Sequence, residues 1–322
     1  MKETYRGETV ETERQAGSAD HSKVTTVSSG KTGVLSRPGV LLALLALYLI
    51  WGSTYLGMRL AVQSLPAFTM SGIRFVLAGT LLYTSLRVKR VPNPSRAQWL
   101  GAAVVGILLV ACGNGGVALA EQWGVASGLA AVGVGATPLW AALFIGLLGR
   151  WPARLEWVGL ALGFAGVLLL NLENGMWTTP AGAISLLLAP MCWALGTALS
   201  SRLSLPTGLM SSAVQMLAGG VLLLIVGQVL LREPVHGFPS LTSLAALAYL
   251  IIFGSLVAFS AYTYLLRQVR PALATSYAYV NPVVAVVLGA SVAGERITLL
   301  GILAMVVILS GVGLLSLARN RR

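Results

Sequence analysis

One arginine, Arg74, stands in an otherwise apolar stretch, "SGIRFVLAG" at 71–79. A guanidinium at that depth costs about 2.5 kcal/mol or more in hydrocarbon, so it should face protein or a watered cavity. Two readings stay open: an anchor for an anionic solute group such as a carboxylate, or a structural role as a donor to neighbouring carbonyls or in an ion pair. Other polar and aromatic side chains interrupt the apolar runs at Trp51, Ser53, Asn114, Gln215, Tyr262, Tyr277, Tyr279 and Asn281. Pro138 and Pro282 each release a backbone carbonyl one turn earlier in a helix. The expected solute-binding set is Trp51, Ser53, Arg74, Asn114, Pro138, Tyr262, Tyr277 and Asn281. Arg59 and Glu121, at matching depth, are a possible gate or an interfacial pair of little energetic weight. No Asp, Glu or His sits mid-run, and HExxH, GxSxG and P-loop patterns are absent. Catalytic residues, metal ligands and cofactors are therefore not expected.

Such residues must be held by helices in lipid. The chain of 322 residues is 56% hydrophobic and only 10% charged, with mean hydropathy +0.82. A soluble chain has about a quarter of its residues charged. From Val40 onward ten apolar runs of membrane-crossing character follow: 40–62, 66–87, 98–120, 124–148, 155–171, 180–201, 208–231, 242–266, 271–293 and 297–318. Residues 1–39, with six basic and five acidic groups and few apolar ones, read as a disordered cytoplasmic tail. Cys112 and Cys192 each fall inside an apolar run and have no metal-ligand spacing.

The net charge of +12 does not mark a nucleic-acid binder, because the excess lies in short connections rather than beside aromatic residues. On one set of alternate loops and the C-terminus, Lys and Arg number twelve; on the other set, Arg59, Arg232 and Arg296 make three. That bias places both termini in the cytoplasm of a multi-pass protein of the cell (inner or plasma) membrane.

The chain also repeats itself. "SLPAFTMSGIRFVLAG" at 64–79 shares half of its sixteen positions with "SLPTGLMSSAVQMLAG" at 204–219, where Val214 replaces Arg74. Trp51 aligns with Trp193, Pro138 with Pro282 and Gly166 with Gly311. The expectation is an all-α membrane protein of ten transmembrane helices: a first five-helix repeat over 40–171 and a second over 180–318. Five is odd, so the second repeat enters the membrane from the opposite side. Inverted repeats enclosing a central site are the architecture of many secondary transporters.

"LYLIWGSTYLGMRLAV", the arginine of "SGIRFVLAG", the paired "TP" and "NP" helices, "GER" at 294–296 and the closing "LSGVGLLSL" together resemble the EamA branch of the drug/metabolite transporter superfamily, over about residues 40–318. The second repeat departs from the first, with Trp-Ala-Leu at 193–195 against Trp-Gly-Ser at 51–53. The resemblance implies a secondary transporter that exports or exchanges amino acids, related metabolites or drugs by alternating access. Its partners would be a small-molecule solute and the lipid bilayer. The competing class is a membrane-embedded or lipid-handling enzyme, which would need convergent reactive groups that the sequence does not supply.

The charge asymmetry generates a topology test. A reporter enzyme active only outside the cytoplasm, fused after Arg322, is expected to stay silent; an active fusion would reverse the assignment.

Overall fold

The computed structural model describes residues 38–125, 130, 133–171, 180–234, 237–293 and 299–317. The N-terminal tail before Pro38, "GER" at 294–296 and the terminal arginines lie outside the described residues. Helices account for all regular structure among the described residues. The first repeat region contains α1 (Pro38–Ala61), α2 (Ala67–Val88), α3 (Arg96–Gln122), α4 (Thr137–Leu147) and α5 (Arg154–Asn171). The second contains α6 (Pro180–Leu199), α7 (Leu209–Leu230), α8 (Leu241–Gln268), α9 (Tyr277–Ala293) and α10 (Leu299–Leu317). Six of these, α1, α2, α3, α6, α7 and α8, are long and apolar enough to cross a membrane. Large apolar side chains such as Leu42, Leu81, Leu100, Ile184 and Val229 face outward, as lipid contact requires.

Three segments depart from α-helical bonding. Ile107–Asn114 in α3, Ile225–Leu230 in α7 and Leu250–Val257 in α8 are π-helical. The α3 segment ends at the glycine-flanked Asn114, where the sequence weakens the helix. The prolines act differently from one another. Pro138 starts α4, where its missing N–H removes no helical bond, so the carbonyl release expected there does not arise. Pro282 is inside α9, and Pro190 is inside α6. The stretch expected as one helix from 271 is divided: a single turn, Pro271–Ala274, precedes α9.

Helix ends are closed by local and distant partners. Ser95 caps α3 reciprocally with Gln98, and Ser240 accepts from the Ser243 N–H at the start of α8. Helix α2 has only Pro66 at its start, and its first amides are satisfied from elsewhere. Gln122, at the end of α3, accepts from the Ala67 N–H at 2.5 Å. Glu233, just past α7, accepts from the Phe68 and Thr69 N–H groups at 3.2 and 2.8 Å and from Thr69 Oγ1 at 2.7 Å. A carboxylate at a helix N-terminus also meets the positive end of its dipole.

The packing partners come in matched sets. α2 lies along α7 and α5 along α10; α1 packs on α8 and α9, while α6 packs on α3 and α4. Exchanging the first five helices for the last five maps each contact onto another. The register sets direction: Gly72 meets Leu224, whereas Gly79 meets Leu217 and the Ala213 carbonyl, so α2 and α7 run antiparallel. Gly159 meets the Gly311 carbonyl and Leu315, whereas Gly166 meets Ile308 and the Ala304 carbonyl, so α5 and α10 are antiparallel too.

The α5–α10 crossing is the tightest place for a test. A Cβ at Gly311 would stand 2.6 Å from Gly163 N and 2.7 Å from the Gly159 carbonyl oxygen, which is backbone that cannot swing away. Gly311→Ala is expected to destabilise by about 1–3 kcal/mol, read as a lower melting temperature in mild detergent. Gly313→Ala, whose added methyl meets nothing within 4 Å, should change stability by less than about 0.5 kcal/mol.

Candidate functional site

A cavity of about 60 Å³ lies among α1, α2, α3, α4, α6 and α9. At about 10–15 Å³ for each water centre, that volume admits about four to six waters. α1 lines it with Trp51, Thr54, Tyr55 and Met58, the i, i+3, i+4, i+7 face of one helix. α3 adds Gly113, Asn114 and Val117; α6 adds Ala189, Pro190 and Trp193. Thr137 comes from α4, Val134 from the residues before it, Tyr277 and Asn281 from α9, and Arg74 from α2.

Arg74 is 2% exposed. Its Nε donates to Ser255 Oγ on α8 at 2.8 Å, and its Cζ lies 4.6 Å from the Phe75 ring centroid. Nη1 is buried with no hydrogen-bond partner, and among the described residues no carboxylate lies within ion-pair distance of the guanidinium. The amide oxygens of Asn114 and Asn281 are likewise buried without partners. Three residues that line the same small cavity thus each carry a buried polar atom without a hydrogen-bond partner, one of them positively charged. Buried polar groups normally find partners, since leaving one unmade costs about 1–3 kcal/mol.

An aromatic cluster bounds the cavity toward the N-terminal end of α1. Trp51 lies 5.4 Å from Trp193, 5.4 Å from Tyr262 and 4.6 Å from Tyr277 between ring centroids. Tyr262 lies 5.6 Å from Trp193 and 5.7 Å from Tyr277, all within the range of favourable edge contacts. Trp51 Nε1 donates to the Gly254 carbonyl at 3.0 Å; Trp193 Nε1 donates to Tyr262 Oη at 3.1 Å. Thr197 Oγ1 donates to the Trp193 carbonyl at 2.9 Å, so the Tyr262 hydroxyl donates to Thr197 at 2.6 Å. Behind the rings, Leu44, Leu47, Val105, Leu109 and Leu265 are packed shut. The cavity therefore lies on the side of the rings that bears the α1–α2 connection.

Of the residues singled out from the sequence, Trp51, Arg74, Asn114, Tyr277 and Asn281 come together at the cavity. Tyr262 stands behind its wall, fully buried. Pro138 is buried beside the lining residue Thr137. Ser53 turns away, bonding the Ile50 carbonyl at 2.8 Å and the Tyr249 hydroxyl at 2.5 Å. Arg59 is exposed in the last turn of α1, while Glu121 is 9% exposed with both oxygens unpartnered. The two are not within ion-pair distance of each other. Sequence reasoning missed Thr54, Tyr55, Pro190 and Trp193 as lining residues. The helical spacing from Trp51 and the repeat position of Trp193 carried that signal. Among the described residues no group of three His, Cys, Asp or Glu side chains is placed to hold a metal.

A bundle of apolar helices around a small charge-bearing cavity is the design of a membrane transporter. Residues 37–172 and 180–317 each match the EamA-like transporter family, and the chain belongs to that family. It is similar to the inner membrane transporter YedA of Escherichia coli (strain K12), 46% identical over 277 residues, covering 86% of this chain and 90% of that one. Protein PecM of Dickeya dadantii (strain 3937) is 29% identical over 247 residues, covering 74% and 80%. A crystal structure at 20% identity superposes with a TM-score of 0.70 over 88% of this chain and 99% of its own, which supports the fold alone.

The Tyr262 hydroxyl is the hinge of the aromatic cluster's bonding. Tyr262→Phe leaves the Trp193 N–H buried without an acceptor, and should cost about 1–3 kcal/mol. A drop in melting temperature in detergent checks it; an unchanged melt would mean the indole finds another acceptor.

Proposed function

We propose that this transporter moves a small organic solute carrying an anionic group, which seats on Arg74. The observation that carries the reading is that Arg74, a lining residue of the cavity, keeps its Nη1 buried without a hydrogen bond. A charged group in that setting costs too much to leave unpaired, so a solute carboxylate is its natural complement. The unpartnered oxygens of Asn114 and Asn281 suit a donor on the same solute, such as an ammonium. Trp51, Tyr277 and Trp193 supply flat walls that suit both apolar groups and cations. Amino acids and related metabolites have all three features.

Movement then proceeds by alternating access between two inverted five-helix repeats, giving export or exchange. The antiparallel α2–α7 and α5–α10 pairs support that arrangement, since corresponding helices of inverted repeats run in opposite directions. With the termini in the cytoplasm, the aromatic cluster closes the cytoplasmic side and the cavity belongs to an outward-directed state. YedA's description as an inner membrane transporter is consistent with that location.

The test begins with a thermal-shift screen of amino acids, sugars, nucleosides and drugs, followed by movement of the hits into sealed vesicles. Carboxylate-bearing compounds are expected to raise the melting temperature, and neutral sugars to leave it unchanged. Arg74→Ala should weaken binding by about 10- to 100-fold, the worth of a charge-assisted hydrogen bond, and abolish movement at normal folded yield. Equal loss of folded protein and movement would make Arg74 a structural donor and overturn the reading.

A further inference from the structure

Arg74 and Trp51 come from different helices, yet both are held by one two-residue step on a third. Gly254 and Ser255 lie within the π segment of α8. Ser255, fully buried, accepts the Arg74 Nε–H at 2.8 Å, and the Gly254 carbonyl accepts the Trp51 indole N–H at 3.0 Å. The π geometry makes the second bond available. Ala258 N–H, the ordinary α-helical partner of the Gly254 carbonyl, bonds to Phe253 instead. The glycine is required for the first: a Cβ at 254 would stand 2.8 Å from Arg74 Nη2 and 3.0 Å from Thr54 Cγ2. With Nε committed to Ser255 and Nη2 against Gly254, the group left over is Nη1, the one without a hydrogen-bond partner.

We propose that Gly254 and Ser255 are positioning residues, which together aim the Arg74 guanidinium and the Trp51 indole at the cavity. The proposal rests on the reading of that cavity as the solute site. Neither residue lines the cavity; each acts through the side chain it holds. Single π turns inside α-helices occur frequently at functional sites, because they free a carbonyl that a regular helix would consume.

The experiment uses the full-length protein in detergent with isotope-labelled arginine and tryptophan. Arg74→Lys identifies the Arg74 Nε–H signal, and Trp51→Phe and Trp193→Phe identify the two indole signals. Ser255→Ala is expected to raise hydrogen exchange at Arg74 Nε–H about tenfold, as loss of one buried hydrogen bond would, with Ser255→Thr restoring the wild-type rate. Gly254→Ala should shift the Arg74 and Trp51 signals and leave Trp193, bonded to Tyr262, in place. Unchanged exchange in Ser255→Ala, or an equal shift of all three signals in Gly254→Ala, would overturn the proposal. Should one variant fail to fold, the other decides. No solute enters either measurement, so an empty solute screen and a failed positioning test are told apart.

Discussion

Everything in this structure follows from one demand: in hydrocarbon, each backbone N–H and C=O must find a partner within the protein. Regular helices meet that demand automatically, which is why they make up the regular structure described. The departures are therefore informative. The π segment of α3 ends at Asn114 and that of α8 holds Gly254 and Ser255; Pro190 lies inside α6, and α9 begins after a separate turn. These four lie at the cavity or hold residues that line it, whereas the π segment of α7 does not. Broken backbone persists in lipid where protein or water takes up the freed groups, and the indole of Trp51 does so at Gly254.

The same demand explains the glycines. Apolar side chains gain nothing by leaving lipid for one another, so helices in a membrane associate by close contact of small residues. The α5–α10 crossing shows the limiting case, with Gly159 and Gly163 facing Gly311. Close crossings of this kind hold the two halves together without polar cost. Among the described residues the ion pair Glu156–Arg270, at 2.6 Å, adds a charged link between them at one membrane edge.

How much of this the sequence disclosed depends on what each residue's partner is. Arg74 was legible as an anomaly because a charge among leucines has few explanations, and Trp51, Asn114, Tyr277 and Asn281 followed as the polar interruptions of apolar runs. Helix spans were legible from the lengths of those runs, with ends at Pro38, Ser95 and Ser240 close to the expected limits. The π segment of α8 was not, since "LIIFGSLV" is a run of ordinary helix formers broken by one glycine. Nor was the placement of Ser53, whose hydroxyl turns away from the cavity toward Tyr249. Arg59 and Glu121 matched in depth along their helices, but matching depth does not bring two side chains within ion-pair distance. Pro138 looked like a break inside a helix and is instead a beginning, because the chain turns at Ala136 before it.

Glu233 carries a consequence for the ancestry of such chains. It belongs to the second repeat, yet it terminates the amides of α2 in the first, where Pro66 offers no side-chain oxygen of its own. A half-length protein translated by itself would leave those amides bare at the lipid boundary. A solitary first half would have to satisfy them from elsewhere. Within one polypeptide the second half supplies that carboxylate without having to find a mate.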